Sequence, residues 1–429
     1  MKKLLCLLLA LCMCLSLSML FTACDEEPTD PNADDTAPQE GQVLLNGVPL
    51  ADYVIIYPSG DDHMKEAADY LVTAIKDRYS CVLQRSSDAL SASDVGSATG
   101  YEILLGNTNR DTSAVQGVTI TKDDYMIAPL EKKVWITGVF PTMLYKAMDA
   151  FVASFVNDGK NTSLELSAPK KESSSDFLRV MTYNVLGGTN HASRDFERIN
   201  MLLDLIEKYE PDIFGVQEAT PNWMSSLRER FGDRYDSVGV GRYADGSGEA
   251  CAIFYLKDRF EILDNDTGTR WLSNTPDVPG SRLENSEYTR IYTYAKFKDK
   301  KTGKVFLHAN THLDLDDLAC EEQANILIEE LKPYKEAGIP LIATGDYNCR
   351  KGSFAYITMT DARWGGLSDS LDVADYTLNG SDSMIDHIFL SKEVDVTYYQ
   401  VCTETYARAN GEIVQPSDHR PVFIDCVIP

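Results

Sequence analysis

The chain has 429 residues, and its 66 acidic and 40 basic residues give a formal net charge of −26 at pH 7. Such a surface repels polyanions at long range, which argues against a processive nucleic-acid binder. A nuclease is not excluded, because a bound metal ion can reverse the local field. The length suggests two domains.

The first predicted element is a signal peptide at residues 1–23, where two lysines precede an apolar run. The stretch "LFTAC" resembles a bacterial lipoprotein cleavage site and implies a lipid on Cys24, with an ordinary cleaved signal as the alternative. Residues 24–42 are acidic and proline-rich without large apolar side chains, so they predict a disordered tether. Together these segments predict a protein held on the extracellular face of a bacterial cell membrane.

Residues 43–167 predict a small α+β domain. "DYVIIYP", "YEILLGNT" and "KVWITG" are typical of strands, whereas "DDHMKEAADYLVTAIKDRYS" and "PTMLYKAMDAFVASFV" have helical spacing. No cluster of histidine, cysteine or paired carboxylates occurs in this part of the sequence. The pattern resembles the accessory domains of bacterial glycan-degrading enzymes, which implies a glycan or cell-wall contact. The polar run "APKKESSSD", residues 168–176, predicts a linker.

Residues 177–429 contain apolar strand-like runs, separated in places by helical patterns such as "RDFERINMLLDLIEKYEP". Such runs predict sheets covered on both faces, and two packed sheets with helices outside suit this length. The six cysteines that follow the tether permit disulfides without fixing their pairing. Cys402 and Cys426 could be cross-strand neighbours, and buried free thiols are the alternative.

Six strand-like runs end or begin in short polar clusters. These are Asn184 in "MTYN", Glu218 in "VQE", His312 and Asp314 in "THLD", Asp346 and Asn348 in "GDYN", Asp386 and His387 in "IDHI", and Asp418 and His419 in "SDHRPV". A lone aspartate at a strand end is usually a turn or cap residue. Six such clusters, which hold three of the six histidines, predict one site at a rim of the sheets.

The residue types in these clusters favour phosphoester hydrolysis. Carboxylate and amide oxygens suit Mg²⁺, with Mn²⁺ or Ca²⁺ as alternatives, and do not suit zinc. The histidines then remain available for proton transfer near neutral pH. A metal that neutralises phosphate oxygens, together with a histidine that activates water, is suited to hydrolysing such esters.

The order of the motifs "MTYN", "QE", "NTHLD", "GDYN", "IDHI" and "SDHRPV" resembles the endonuclease/exonuclease/phosphatase superfamily. This group includes deoxyribonuclease-like nucleases, sphingomyelinases and inositol polyphosphate phosphatases. The resemblance implies that residues 177–429 form a four-layer α/β/β/α sandwich of two mixed sheets.

The resemblance also implies roles for individual residues. Asn184, Glu218 and Asp418 would belong to the metal site. Asp346 and Asn348 would bind the scissile phosphate, and His312 would contact the phosphate or act as the acid for the leaving oxygen.

Three further assignments concern basic residues. The resemblance implies that Asp386 pairs with His419, the general base. Arg290, in "TRIYTYAKF", is a candidate phosphate contact, with a structural salt bridge as the alternative. His387 alternates away from Asp386 along its strand, so its role stays open between packing and support of the site.

The sequence therefore predicts an exported, membrane-tethered, metal-dependent phosphodiesterase. An extracellular nuclease and a sphingomyelinase or other phospholipid phosphodiesterase are the alternatives within this class. A glycan-binding surface protein with an inactive second domain is the alternative outside it. That alternative should have lost at least one motif residue, and all of them are present.

Overall fold

The computed structural model describes residues 41–89, 100–115, 117–174, 176–187, 195–370, 377–381 and 383–429. The predicted signal peptide, Cys24 and nearly all of the predicted tether lie outside these ranges. Within the described residues, no helix is both long enough and apolar enough to cross a bilayer.

The first part of the chain contains two sheets and two α-helices in its described residues. Its strands β1–β10 are Val43–Leu45, Val48–Pro49, Val54–Tyr57, Gln84–Ser87, Glu102–Leu105, Asp124–Leu130, Lys133–Gly138, Val156–Asn157, Thr162–Leu164 and Lys170–Ser173. Helices α1 and α2 are Asp62–Tyr79 and Pro141–Ala153, and 3₁₀ turns lie at Leu50–Asp52 and Ser113–Val115. The sheet orders are β2-β1-β9-β8 and β10-β6-β7-β5-β3-β4.

Both predicted helices form, for the expected local reasons. The Asp61 carboxylate caps α1 by accepting the Met64 amide at 3.1 Å, and Pro141 begins α2 where its missing N–H costs nothing. The apolar stripe of α1, represented by Leu71 and Ile75, packs with α2 on one face of the six-stranded sheet. This part of the chain is thus the small α+β unit that the sequence predicted.

The predicted linker contains a strand. Lys170–Ser173, β10, pairs antiparallel with β6 at the edge of the six-stranded sheet, although all four side chains are exposed. Pairing at a sheet edge uses backbone groups and tolerates charged side chains. The strand could therefore not be recognised from its polar composition. The predicted linker therefore includes four residues of an edge strand.

The second part of the chain supplies the remaining elements. Strands β11–β24 are Phe177–Asn184, Ile213–Ala219, Tyr235–Val238, Ala250–Leu256, Phe260–Trp271, Ile291–Asp299, Val305–His312, Leu341–Asp346, Ser368–Asp369, Asp386–Leu390, Asp395–Val401, Tyr406–Ala407, Ile413–Val414 and Val422–Val427. Helices α3–α6 are Phe196–Tyr209, Pro221–Phe231, Asp317–Glu336 and Phe354–Thr360. Two six-stranded mixed sheets form, in the orders β13-β14-β12-β11-β24-β21 and β15-β16-β17-β18-β20-β19.

Three apolar cores separate these elements into four layers. Helices α3 and α4 pack on the outer face of the sheet that contains β11, through side chains such as Leu202 and Trp223. The two sheets face each other through Ile253, Ile342 and similar residues. Helices α5 and α6 cover the outer face of the second sheet. The predicted four-layer α/β/β/α sandwich is confirmed.

A buried polar junction joins the two parts of the chain. The Arg179 guanidinium donates to both carboxylate oxygens of Asp425, at 2.6 and 2.7 Å, and the Thr142 hydroxyl from α2 also donates to this carboxylate. Phe140 stacks on Arg179, with 3.8 Å between the ring centroid and the guanidinium carbon. Lys122 adds an ion pair to Asp212 at 2.6 Å. The sandwich is therefore tied to the α+β unit by directional contacts.

All six cysteines of the described residues are free thiols. Strands β21 and β24 do pair, but Val396 lies opposite Cys426 and Val401 lies opposite Val422, so Cys402 is not opposite Cys426. The alternative of buried free thiols holds for all but the partly exposed Cys81.

Candidate active site

The predicted clusters meet at one rim of the sandwich because of strand direction. Strands β11, β12, β17 and β18 end at this rim, and β20 begins there beside β18. In the second sheet His312 lies opposite Asp346, and Asp346 lies opposite Asp386. Three residues that are far apart in sequence thus become neighbours across a sheet.

One oxygen of Asp346 is the centre of this arrangement. Its Oδ2 atom lies 2.9 Å from Nδ2 of Asn184, 3.4 Å from Nε2 of His312 and 3.7 Å from Nε2 of His419. Its Oδ1 atom accepts the Asn348 amide at 3.0 Å. Burial and the neighbouring Asp386 carboxylate raise the pKa of Asp346 to about 6. The carboxylate is therefore held in a place that favours a compensating positive charge.

Asp386 and His419 form a buried hydrogen-bonded pair. Nδ1 of His419 lies 2.8 Å from Oδ2 of Asp386, and the other ring nitrogen faces Asp346. Burial alone would lower the pKa of His419, but Asp386 and Asp346 outweigh it and raise the pKa to about 10. The carboxylate fixes one ring nitrogen and leaves the other directed toward the site, as a proton acceptor requires.

Glu218 and Asn184 stand beside this pair. The Asn184 side-chain amide donates to Glu218 at 3.0 Å as well as to Asp346, so it bridges the two carboxylates. Its own oxygen accepts the Leu186 amide at 3.0 Å. The Gly187 amide donates to the second Glu218 oxygen at 3.1 Å, and a Cβ at Gly187 would lie 1.8 Å from the Glu218 carbonyl. Only glycine fits this position.

The donor set fits a hard divalent cation. Asp346 lies within 4.8 Å of ligand atoms of Asp386 and His419, and Oδ1 of Asp386 is buried without a hydrogen bond, so two carboxylates concentrate negative charge at this point. Glu218 adds a further carboxylate next to Asp346 through Asn184. A neutral His419 also requires positive charge to offset the two carboxylates that raise its pKa.

The remaining predicted metal and phosphate residues lie at the edge of this group. Asp418 is exposed, accepts a hydrogen bond from Ser417 at 3.3 Å and is not a member of the three-residue group. The Asn348 side chain donates to the Leu313 carbonyl at 3.0 Å. Neither residue touches the Asp386–His419 pair through a hydrogen bond that the structure records, so their predicted roles stay predictions.

Arg290 lies in a small pocket beside His312, together with Glu218, Arg242 and Glu249. Burial lowers the pKa of His312 well below its usual value, and the charges of Arg290, His419 and Arg242 lower it further. The two predicted roles of His312, a phosphate contact and the acid for the leaving oxygen, both stay predictions. Arg242 and Glu249 belong to none of the motifs, so sequence reasoning missed them.

Two further residues missed by sequence reasoning hold the loops of the rim. Arg198, on α3, donates to the Val185 carbonyl at 2.9 Å and the Pro416 carbonyl at 2.8 Å. The Ser417 hydroxyl donates to the Asn184 carbonyl at 2.7 Å. These contacts tie the loop after β11 to the loop before His419. A signal existed for Arg198, because it shares the apolar spacing of Leu202 and Leu205.

The other strand histidines lie outside the site. His387 is fully buried, with its two ring nitrogens 3.0 Å from an Asp369 carboxylate oxygen and 3.0 Å from the Cys349 carbonyl. Its ring stacks on Phe389. His308 is buried beside Thr344, and burial lowers its pKa to about 3. His387 has a structural role, which resolves the open alternative.

Comparison with known proteins agrees with this geometry. Residues 181–419, more than half of the chain, match the model of the Endonuclease/Exonuclease/phosphatase family. An uncharacterized protein of Acanthamoeba polyphaga mimivirus, L388, is 26% identical over 270 residues, which cover 58% of this chain and 99% of that protein.

Two solved bacterial structures resemble the chain at higher identity. A family protein from Bacteroides thetaiotaomicron is 32% identical with a TM-score of 0.53 and covers 59% of this chain and 98% of its own. A mannosyl-6-phosphatase from Bacteroides thetaiotaomicron VPI-5482 is 34% identical with a TM-score of 0.52. The match covers 58% of this chain and 100% of the phosphatase chain.

Proposed function

Since the chain belongs to the endonuclease/exonuclease/phosphatase family and is a hydrolase of phosphoester bonds, we propose that it works by metal-assisted attack of water activated by Asp386 and His419. The observation that carries this proposal is the 2.8 Å contact between His419 and Asp386, with the other ring nitrogen directed at Asp346. His419 takes a proton from the attacking water at Nε2, and Asp386 stabilises the resulting imidazolium.

We assign the metal to the carboxylates around Asn184. Glu218 and Asp346 are the central oxygen donors, Asn184 orients them, and Asp418 completes the predicted set from the exposed side. A divalent cation bound there, which we propose to be Mg²⁺, would neutralise phosphate oxygens. Asn348 and His312 face the same rim and are proposed to position the phosphate.

Glu218→Gln tests the metal assignment. The variant keeps the side-chain size and removes one charge, so we expect activity to fall with folding intact and to recover partly at high magnesium. Hydrolysis is measured with magnesium and with chelator on plasmid DNA, RNA, sphingomyelin, inositol phosphates and simple mono- and diesters. Full activity of the wild-type protein in chelator would refute the metal assignment.

Two substrate classes remain within this proposal. The sequence favours a phosphodiester, including those of nucleic acids and sphingomyelin. The 34% identity to a mannosyl-6-phosphatase supports a sugar phosphate monoester as the second candidate. The panel separates them, because each class is represented by its own substrate.

We also propose that the enzyme is exported and tethered through lipid on Cys24, with the α+β unit contacting glycan or cell wall. The support is the leader and tether pattern of residues 1–42. Cys24→Ser should release the protein from the membrane fraction into the medium. An unchanged membrane fraction would contradict the anchor.

A further inference from the structure

Arg290 is a buried cation that no carboxylate of the described residues contacts directly, although Glu249 and Asp314 lie near enough to feel its charge. Its side chain is only 5% exposed and its Nε atom has no hydrogen-bond partner. No carboxylate among the described residues forms an ion pair with it, and its recorded contact is the Tyr288 ring, 4.9 Å from the guanidinium carbon. Buried polar groups are normally hydrogen-bonded, so a guanidinium whose Nε donor has no partner, beside the predicted catalytic rim, is a candidate contact for an anion.

Arg242 is a second guanidinium in the same pocket. Its guanidinium carbon lies 5.5 Å from the centroid of the Tyr288 ring, so both arginines contact one aromatic ring. Nη1 of Arg242 donates to Glu249 at 2.5 Å, but its buried Nε atom has no partner. Glu249 thus orients Arg242 and still leaves donors of both arginines unused.

The backbone holds this pair in place. The Arg242 amide donates to the Glu249 carbonyl at 3.1 Å, and the Arg242 carbonyl accepts the Trp271 indole N–H at 2.7 Å. Arg290 directly precedes β16, and its carbonyl accepts the Leu272 amide at 2.9 Å. The backbone is therefore fixed at both positions, and the Tyr288 ring and Glu249 orient the guanidinium groups, which reduces the cost of binding an anion.

We propose that Arg242 and Arg290 form a clamp for the terminal phosphoryl group of a phosphate monoester. This inference rests on the proposed function and selects between its two substrate classes. A monoester dianion carries one more negative charge than a diester and can accept hydrogen bonds from both planar forks. The reaction breaks the bond from phosphorus to the alcohol oxygen, forms one to the water oxygen, and yields an alcohol and inorganic phosphate.

Matched substrates test the clamp in the full chain with magnesium. We expect wild type to prefer p-nitrophenyl phosphate over bis(p-nitrophenyl) phosphate in kcat/KM. Arg242→Ala and Arg290→Ala should lower kcat/KM for the monoester by roughly 10–10²-fold, the usual effect of losing hydrogen bonds to a charged group. The diester should lose less, so that the ratio between the two substrates falls. Arg290→Lys, which keeps the charge but not the fork, should lie between wild type and Arg290→Ala.

Binding of inorganic phosphate gives a readout besides activity. Calorimetric titration should show a weaker Kd in both alanine variants and an unchanged Kd in Arg363→Ala, a control at an exposed arginine that pairs with Asp361. Equal losses on both esters, a wild type that prefers the diester, or unchanged phosphate binding would overturn the clamp. Failure of the wild type to hydrolyse any ester would instead refute the proposed function, and phosphate binding alone would then decide the clamp.

Discussion

At the scale of single residues, His419 and the carboxylates of Asp418 and Asp386 lie in different surroundings. Asp418 follows Ser417 and is exposed, whereas His419 is buried and reaches Asp386 on another strand. Adjacent side chains in the chain therefore face different surroundings. This separation is consistent with the proposed division of "SDHRPV" between a metal ligand, Asp418, and a proton acceptor, His419.

Substitutions at these three positions should have distinct effects. We expect His419→Ala to lower turnover by roughly 10²–10⁴, the span typical of a lost general base. Asp386→Asn should cause a comparable loss without a change in the magnesium requirement, whereas Asp418→Asn should shift that requirement. Turnover against magnesium concentration is measured for all three. Near-wild-type turnover of Asp386→Asn, or the same metal dependence as Asp418→Asn, would show that the pairing is wrong.

At the scale of elements, strand β20 shows how the alternation of side chains between the two faces of a strand separates residues of the site from residues of the packing. Asp386 faces the site, and His387 faces Asp369 and the Cys349 carbonyl on the other side. Each ring nitrogen of His387 faces one hydrogen-bond acceptor. Both nitrogens can donate a hydrogen bond only when the imidazole is protonated. Burial alone would lower the pKa of His387, but Asp369 and Cys349 outweigh it and raise the pKa to about 9.

This raised pKa predicts a pH-dependent stability. The folded pKa lies above the unfolded value of about 6.5, so the stabilisation is fully present below the unfolded pKa and is lost as pH rises through about 9. His387→Gln removes the titrating group, and its unfolding free energy should fall less between neutral pH and pH 10. Denaturant unfolding at several pH values measures the slope, and equal slopes in both proteins would contradict the assignment.

At the scale of the whole molecule, the sandwich and the α+β unit share a buried junction. Arg179 and Asp425 belong to the sandwich, but Thr142 and Phe140 complete their surroundings from α2. Phe177, the first residue of β11, packs in the core of the α+β unit. The catalytic rim uses no residue of that unit among those described above.

A fragment that starts near Asp176 tests this division. It should fold and hydrolyse a small diester, because the rim residues all lie after this point. It should also be less stable than the full chain, since Phe177 becomes exposed and Asp425 loses the Thr142 hydroxyl. Activity and thermal unfolding of both forms are compared. An inactive fragment beside an active full chain would show that the α+β unit completes the site.

The sequence by itself determined the elements and the chemical class. Apolar runs of strand length and amphipathic helical spacing are local properties, so the main strands and helices α1, α2, α3 and α5 could be predicted from them. Polar clusters at the ends of strand-like runs could likewise be recognised in the sequence. They predicted one shared site, because neighbouring strands bring such ends to the same rim. The exposed edge strand β10 was missed, since backbone pairing leaves no apolar signature.

Only the tertiary structure decided which side chains meet. Cross-strand register places His312, Asp346 and Asp386 side by side, although 34 residues separate the first two. Arg242 and Gly187 act through carboxylates that come near only on folding, so no local pattern marked their roles. Helical spacing placed Arg198 on the packed face of α3, but its carbonyl partners were decided by the fold. The lack of a directly contacting carboxylate at Arg290 is likewise a property of its surroundings in space, because ion pairing depends on distance between atoms and not on position along the chain.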